Sequence, residues 1–91
     1  MNVIREVAYS DLDGIYSWIA QDRPRAARRV IDRILNSIEL LGLFPELGHA
    51  GKVSGTYEWV VGGLPYIIVY TVDRDAEEVA VIAVFHSAQN R

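Results

Sequence analysis

Between Pro65 and Asp73 the chain runs Tyr66-Ile67-Ile68-Val69-Tyr70-Thr71-Val72, with no charge and no glycine. β-Branched and aromatic side chains fit a pleated, packed surface. An uninterrupted apolar run of this length reads as a strand covered on both faces or nearly so. Pro65 can open such a strand but cannot sit inside it, because it has no N–H for the ladder. Residues 66–72 are therefore expected in the middle of a sheet. Alternation would put Tyr66, Ile68 and Tyr70 on one face, with Ile67, Val69 and Thr71 on the other.

The rest of the chain is read as neighbours or cover for that strand. At 91 residues, one domain over 1–91 is expected. Its apolar share of 51% argues against intrinsic disorder. The longest apolar run is far short of a bilayer span, and the N-terminus, with Arg5 and Glu6 early, does not read as a secretory signal. There is no cysteine, so disulfides and thiolate metal sites are excluded. A cytoplasmic domain without a membrane partner is the simplest expectation. The net charge of −3 weighs mildly against nucleic acid as the main ligand. The distribution is uneven: Arg23, Arg25, Arg28, Arg29 and Arg33 crowd one segment, while Asp73, Asp75, Glu77 and Glu78 make an acidic turn.

In chain order, Val3 to Val7 suggests a short strand near a sheet edge, where Arg5 and Glu6 are tolerated. Ser10 offers an N-cap, with Asp11 and Asp13 suited to a first helical turn. Leu12, Ile15 and Ile19 follow at helical spacing, flanked by Tyr16 and Trp18, which predicts a helix over about 11–21. Gly14 inside it costs about 1 kcal/mol against alanine. Asp22-Arg23-Pro24 ends this helix and starts another, since proline suits a first turn. Ala27, Ile31, Ile34, Ile38 and Leu41 then mark an apolar stripe along a helix over about 24–42, widened by Val30 and Leu35 and stopped by Gly42. So short a connection makes the pair an antiparallel hairpin. Residues 43–56, with Pro45, Gly48, Gly51 and Gly55, read as a loop long enough to carry function. Strands follow at 57–61, 66–72 and 79–85. The expected fold is α+β: an N-terminal strand, a two-helix hairpin and a three-stranded antiparallel meander, in a mainly antiparallel four-stranded sheet with the helices on one face.

The ordered set Ala8-x-x-Asp11-Leu12-x-x-Ile15-x-x-Trp18-Ile19-Ala20, Pro24-x-x-Ala27-x-x-Val30, Leu41-x-x-Phe44-Pro45-x-x-Gly48, Gly55-Thr56-x-Glu58, Pro65 to Tyr70 and Val84-Phe85-His86-x-x-Gln89-x-Arg91 resembles the RelE/ParE superfamily of toxins from type II toxin–antitoxin systems. It is more similar to the ParE (plasmid-stabilisation) branch. The resemblance implies a small α+β toxin neutralised by a cognate antitoxin. ParE-like members act on DNA gyrase; RelE-like members cut mRNA in the ribosome without a metal. Such cleavage needs a base, cations on the phosphate and an acid for the leaving oxygen. Many relatives carry arginine where this chain has His49 and Tyr57, and losing two cations weakens a cleavage role. The expected function is gyrase inhibition by binding, a non-enzymatic role without cofactor. The alternatives are a ribosome-dependent endoribonuclease and a weakened toxin acting mainly in antitoxin binding and operon autoregulation.

The individual candidates each have two readings. His86 is a general acid or base, with Arg91 as phosphate cation, only under the endoribonuclease alternative; otherwise it is a histidine bonded to the helix pair or tail. His49 reads as an exposed loop residue, and no metal site is expected. Tyr66 and Tyr70 read as core with hydroxyls reaching the edge. Tyr57 is either core or part of an aromatic surface. Arg25, Arg28 and Arg29 form either a solvated face, in which Arg29 and Arg33 pair with Asp32 or Asp22, or a partner-binding cluster that contacts DNA near gyrase or an acidic antitoxin tail. Trp18 and Trp59 are partner anchors or buried core.

Overall fold

The computed structural model describes residues 2–89. The apolar run forms β4, Tyr66–Asp73, and it lies at the centre of a five-stranded sheet of order β1-β5-β4-β3-β2. The others are β1 (Asn2–Ile4), β2 (His49–Ala50), β3 (Tyr57–Val60) and β5 (Glu78–His86). Strands β2 to β5 are antiparallel neighbours, whereas β1 pairs parallel to β5 at one edge. Tyr66, Ile68 and Tyr70 are buried as alternation requires. Ile67, Val69 and Thr71 are only half-buried. The helices cover one face, so the expectation of two covered faces is corrected. The half-burial of the second row comes from cross-strand neighbours such as Phe85, opposite Ile67.

Two helices supply the cover: α1, Glu6–Ala20, and α2, Pro24–Leu43. Helix α1 starts five residues before the expected 11, and Ser10 is not its cap. The buried stripe extends backwards to Ala8, which lies one turn before Leu12. Arg5 occupies the cap position, and its N–H donates to the Val81 carbonyl at 2.9 Å. That bond stops β1 at Ile4 and leads directly into the helix. The short turn after Ala20 makes the expected antiparallel pair. In α2, Ala27, Ile34, Ile38 and Leu41 are buried and Val30 and Ile31 are partly so, whereas Leu35 turns outward.

Gly42 does not end α2. The helix continues to Leu43, and Phe44 takes the cap position. The glycine instead makes room for β1: a Cβ at residue 42 would overlap the Asn2 side-chain amide. Asn2 Nδ2 donates to the Ile38 carbonyl at 3.1 Å, while its buried Oδ1 has no hydrogen-bond partner.

The loop after α2 is more ordered than its composition suggests. It contains a short 3-10 turn, Pro45–Leu47, and the two-residue β2, the unforeseen fifth strand. Tyr70 fastens it. This fully buried side chain accepts the Gly48 N–H at 2.9 Å and donates to the Pro45 carbonyl at 2.7 Å. The Arg33 guanidinium donates to the Gly62 carbonyl and lies close to Gly63, clamping the β3–β4 turn. Gly63 has φ +74°, a conformation that favours glycine. Among the described residues, no helix is long and apolar enough to cross a membrane.

Candidate partner-binding groove

The sheet carries one irregularity that matters for the site. Val69 pairs with Ala83 but Tyr70 pairs with Val81, so Ile82 is an extra residue in β5. A one-residue insertion switches the faces of everything beyond it. Val79 and Val81 point to the helices before the bulge; Val84 and His86 do so after it. Without the bulge, His86 would face away from α1.

His86 therefore stands opposite Tyr66 at the helix-covered end of the sheet, their rings edge to face with centroids 5.4 Å apart. Together with Val84 and Gln89 they form one wall of an open groove of about 560 Å³. Helix α1 forms the other wall through Ser10, Asp11, Gly14, Ile15, Trp18 and Ile19. Ser10, Gly14 and Trp18 follow one another at four-residue spacing, so two small side chains open the groove and an indole closes its end. A Cβ at Gly14 would meet nothing within 4 Å. Asp11 joins the two walls, its Oδ2 accepting the Val84 N–H at 2.9 Å. Trp18 is 73% exposed, with no core to fill.

Among the described residues, the groove brings no second acid or base into hydrogen-bond contact with His86. His86 Nδ1 accepts the Ala88 N–H, and the His86 N–H donates to Gln89 Oε1, each at 3.0 Å. The first bond ties the ring to its own tail; the second, from the backbone N–H, folds the Gln89 side chain back on the strand end. Arg91, the expected phosphate cation, lies outside the described residues. Burial pushes the Tyr66 phenol above its ordinary value of 10.0, which keeps it neutral. His49 is on β2, three strands from β5, or about 14 Å across the sheet. Its Nε2 lies 3.9 Å from Glu58 Oε1. The two histidines do not share a site. Among the described residues, no three His, Cys, Asp or Glu side chains are grouped to hold a metal.

The other candidates separate. Tyr57 and Trp59 are half-buried on the helix-facing side of β3, packed against the core, and Tyr57 stacks on Tyr70 at 5.7 Å. Arg25, Arg28 and Arg29 are exposed near the start of α2. Arg28, rather than Arg29 or Arg33, approaches Asp32, with Nε 3.6 Å from Oδ1. Arg33 belongs to the β3–β4 turn. The groove itself was missed in the sequence. Its available signal was the Ser10–Gly14 pair, small residues one turn apart on an otherwise well-patterned helix. A second missed feature is the exposed apolar row Leu40, Leu43, Phe44 and Leu47 where α2 meets the 3-10 turn.

The family described as "ParE toxin of type II toxin-antitoxin system, parDE" matches residues 3–91. The protein "Putative toxin Y4kP" of Sinorhizobium fredii (strain NBRC 101917 / NGR234) is 38% identical over 78 residues, 86% of this chain and 78% of that protein. Among solved structures, a chain of the chromosomal ParDE TA system from P. aeruginosa superposes with a TM-score of 0.84 at 18% identity, covering 93% of this chain and 92% of the other. A chain of the intact E. coli RelBE toxin–antitoxin complex gives 0.68 at 16% identity, covering 100% and 98%. At these identities the structural likeness concerns the fold.

Proposed function

Since the chain belongs to the ParE toxin family of type II toxin–antitoxin systems, we propose that it inhibits DNA gyrase by binding and is held inactive by a cognate antitoxin. The observation that carries this reading is the character of the groove. It is open, partly apolar and edged by an exposed Trp18, as a docking surface for a protein segment is. The one histidine lining it, His86, has its ring Nδ1 engaged by the Ala88 N–H. The antitoxin places an apolar side chain beside Trp18, in the space above Gly14. Of the other partner-binding candidates, Arg25, Arg28 and Arg29 stand exposed apart from the groove, and Tyr57 and Trp59 act by shaping the sheet.

One observation favours the endoribonuclease reading: His86 does line the groove. The weakened-toxin reading draws on His49 and Tyr57, which are turned towards Glu58 and Tyr70 and supply no fixed cation.

Purified protein added to gyrase and relaxed plasmid is expected to block supercoiling, and the cognate antitoxin to restore it. Induction of the toxin alone is expected to trigger a DNA-damage response. Abrupt loss of intact mRNA with supercoiling unaffected would replace gyrase by the ribosome. Growth without defect would favour the weakened toxin. Trp18→Ala is expected to lower antitoxin affinity about tenfold or more. Unchanged affinity would remove the groove from the interface.

A further inference from the structure

Charge is sorted along α2. Residues 22–33 hold five arginines and two aspartates, whereas the rest of the chain holds four basic and ten acidic residues. The N-terminal end of α2 carries Arg23, Arg25, Arg28 and Arg29, with no acidic residue in its first turn and no side-chain cap. Its C-terminal end lies beside the acidic β4–β5 turn, where Gly42 and Pro45 share a shallow cavity with Asp73, Glu77 and Glu78. Twenty helical residues separate the two ends, about 30 Å at the helical rise. The helix dipole points the same way, positive at the arginine end. The side chains thus reinforce the dipole, an arrangement that opposes helix stability and strengthens the field outside the molecule.

These cations are not consumed by the fold. Among the described residues, Arg23, Arg25 and Arg29 have no carboxylate within 4.0 Å; Asp32 serves Arg28, and Arg33 is held by Gly62. No large apolar side chain is exposed between Trp18 and Leu35. A protein partner would have only the arginines to hold there, without the aromatic or large apolar anchors that accompany them in a well-packed hot spot. Nor is there an aromatic row on which unstacked bases of a single strand could lie. What remains is a set of exposed point charges, with Arg25 and Arg29 one helical turn apart. That suits the phosphates of a duplex, which are contacted without reading sequence.

We propose that the tip of the helix hairpin, through Arg23, Arg25 and Arg29, docks on the phosphate backbone of double-stranded DNA. The acidic turn at the far end of α2 orients the approach by repulsion, so a net-negative protein meets DNA tip first. The biological setting rests on the gyrase reading: a toxin that grips gyrase on its DNA gains a second foothold. The contact with DNA itself does not require gyrase.

The probe is a fluorescent 20-base-pair duplex of arbitrary sequence, titrated with the full chain in 50 to 200 mM KCl. Three phosphates neutralised give a slope of log K against log[salt] of about −2.7, so affinity falls about 40-fold across that range. Arg25→Gln/Arg29→Gln should reduce the slope to about −1, while melting at an equal or higher temperature, because like charges leave the positive helix end. Arg74→Gln, which removes a charge at the acidic end, should bind as the parent does. Failure of the parent to bind at 50 mM KCl, equal binding by the double variant, an equal loss in Arg74→Gln, or tighter binding to poly-glutamate than to duplex would each overturn the proposal. A supercoiling assay run in parallel separates the two readings. Duplex binding without gyrase inhibition refutes the target and leaves the contact standing. Inhibition without duplex binding does the reverse.

Discussion

Replacing Tyr70 by phenylalanine removes one oxygen atom and tests how the long loop is held. The ring remains, so its apolar burial and its stacking on Tyr57 are retained. Two hydrogen bonds are lost: the one accepted from the Gly48 N–H at 2.9 Å and the one donated to the Pro45 carbonyl at 2.7 Å. At about 1 kcal/mol each, the variant should lose about 2 kcal/mol. For a domain of this size that corresponds to a fall in Tm of about 8–16 °C. The effect should be local as well as global, because Gly48 leads into β2 and its pairing with Glu58 and Tyr57. Faster amide exchange is therefore expected at Gly48 and Ala50 before the rest of the sheet. The same oxygen predicts a pH dependence. Burial, aided by Tyr57 and Glu46, raises the Tyr70 phenol above 10.0, against a smaller lowering by the Gly48 N–H. The unfolded chain then loses its phenolic proton first. The contribution to stability is complete below about pH 10 and is lost as pH rises through the folded value. Urea denaturation of parent and variant between pH 7 and 11 reads both effects. A loss under 0.5 kcal/mol at pH 7, or an alkaline decline as steep in the variant, would refute the argument.

The two helical glycines should respond in opposite directions. Gly14→Ala meets only open space, so it should stabilise by about 1 kcal/mol while intruding on the groove and weakening antitoxin binding; a lower Tm would contradict the geometry. Gly42→Ala drives a methyl into the Asn2 amide and should lose about 1–3 kcal/mol despite the better helix propensity, with much of the loss recovered when Asn2→Ala is added. A stabilised single variant would show that β1 does not press on α2. His86→Ala should leave toxicity largely intact, since its partners are the tail and Tyr66. A folded variant without toxicity would count for the ribonuclease reading.

The elements were legible because their causes are local. The α2 stripe through Ala27, Ile34, Ile38 and Leu41 is a helical period, and β4 alternates between buried and half-buried residues from Tyr66 to Thr71. The start of α1 was misplaced because Ser10 carries the chemistry of a cap. The competing bond from Arg5 to Val81 joins residues far apart in sequence, and no local pattern announces it. The ordered motifs sufficed for the family, since they recur along nearly the whole chain. They did not disclose the groove, in which Trp18 and His86 face each other across separate elements.

By itself, then, the amino-acid order determined two amphipathic helices, a buried central strand, an antiparallel meander and an uneven placement of charge. All of these follow from spacing within one segment, where periodic burial and backbone preference act together. Only the tertiary structure decided the parallel place of β1, the capture of the loop by Tyr70, the reason for Gly42 and the bulge at Ile82 that turns His86 towards α1. Each depends on which distant backbone groups meet. A register set by pairing can shift by one residue with no mark in the local pattern, and that single residue chooses the face on which a side chain acts.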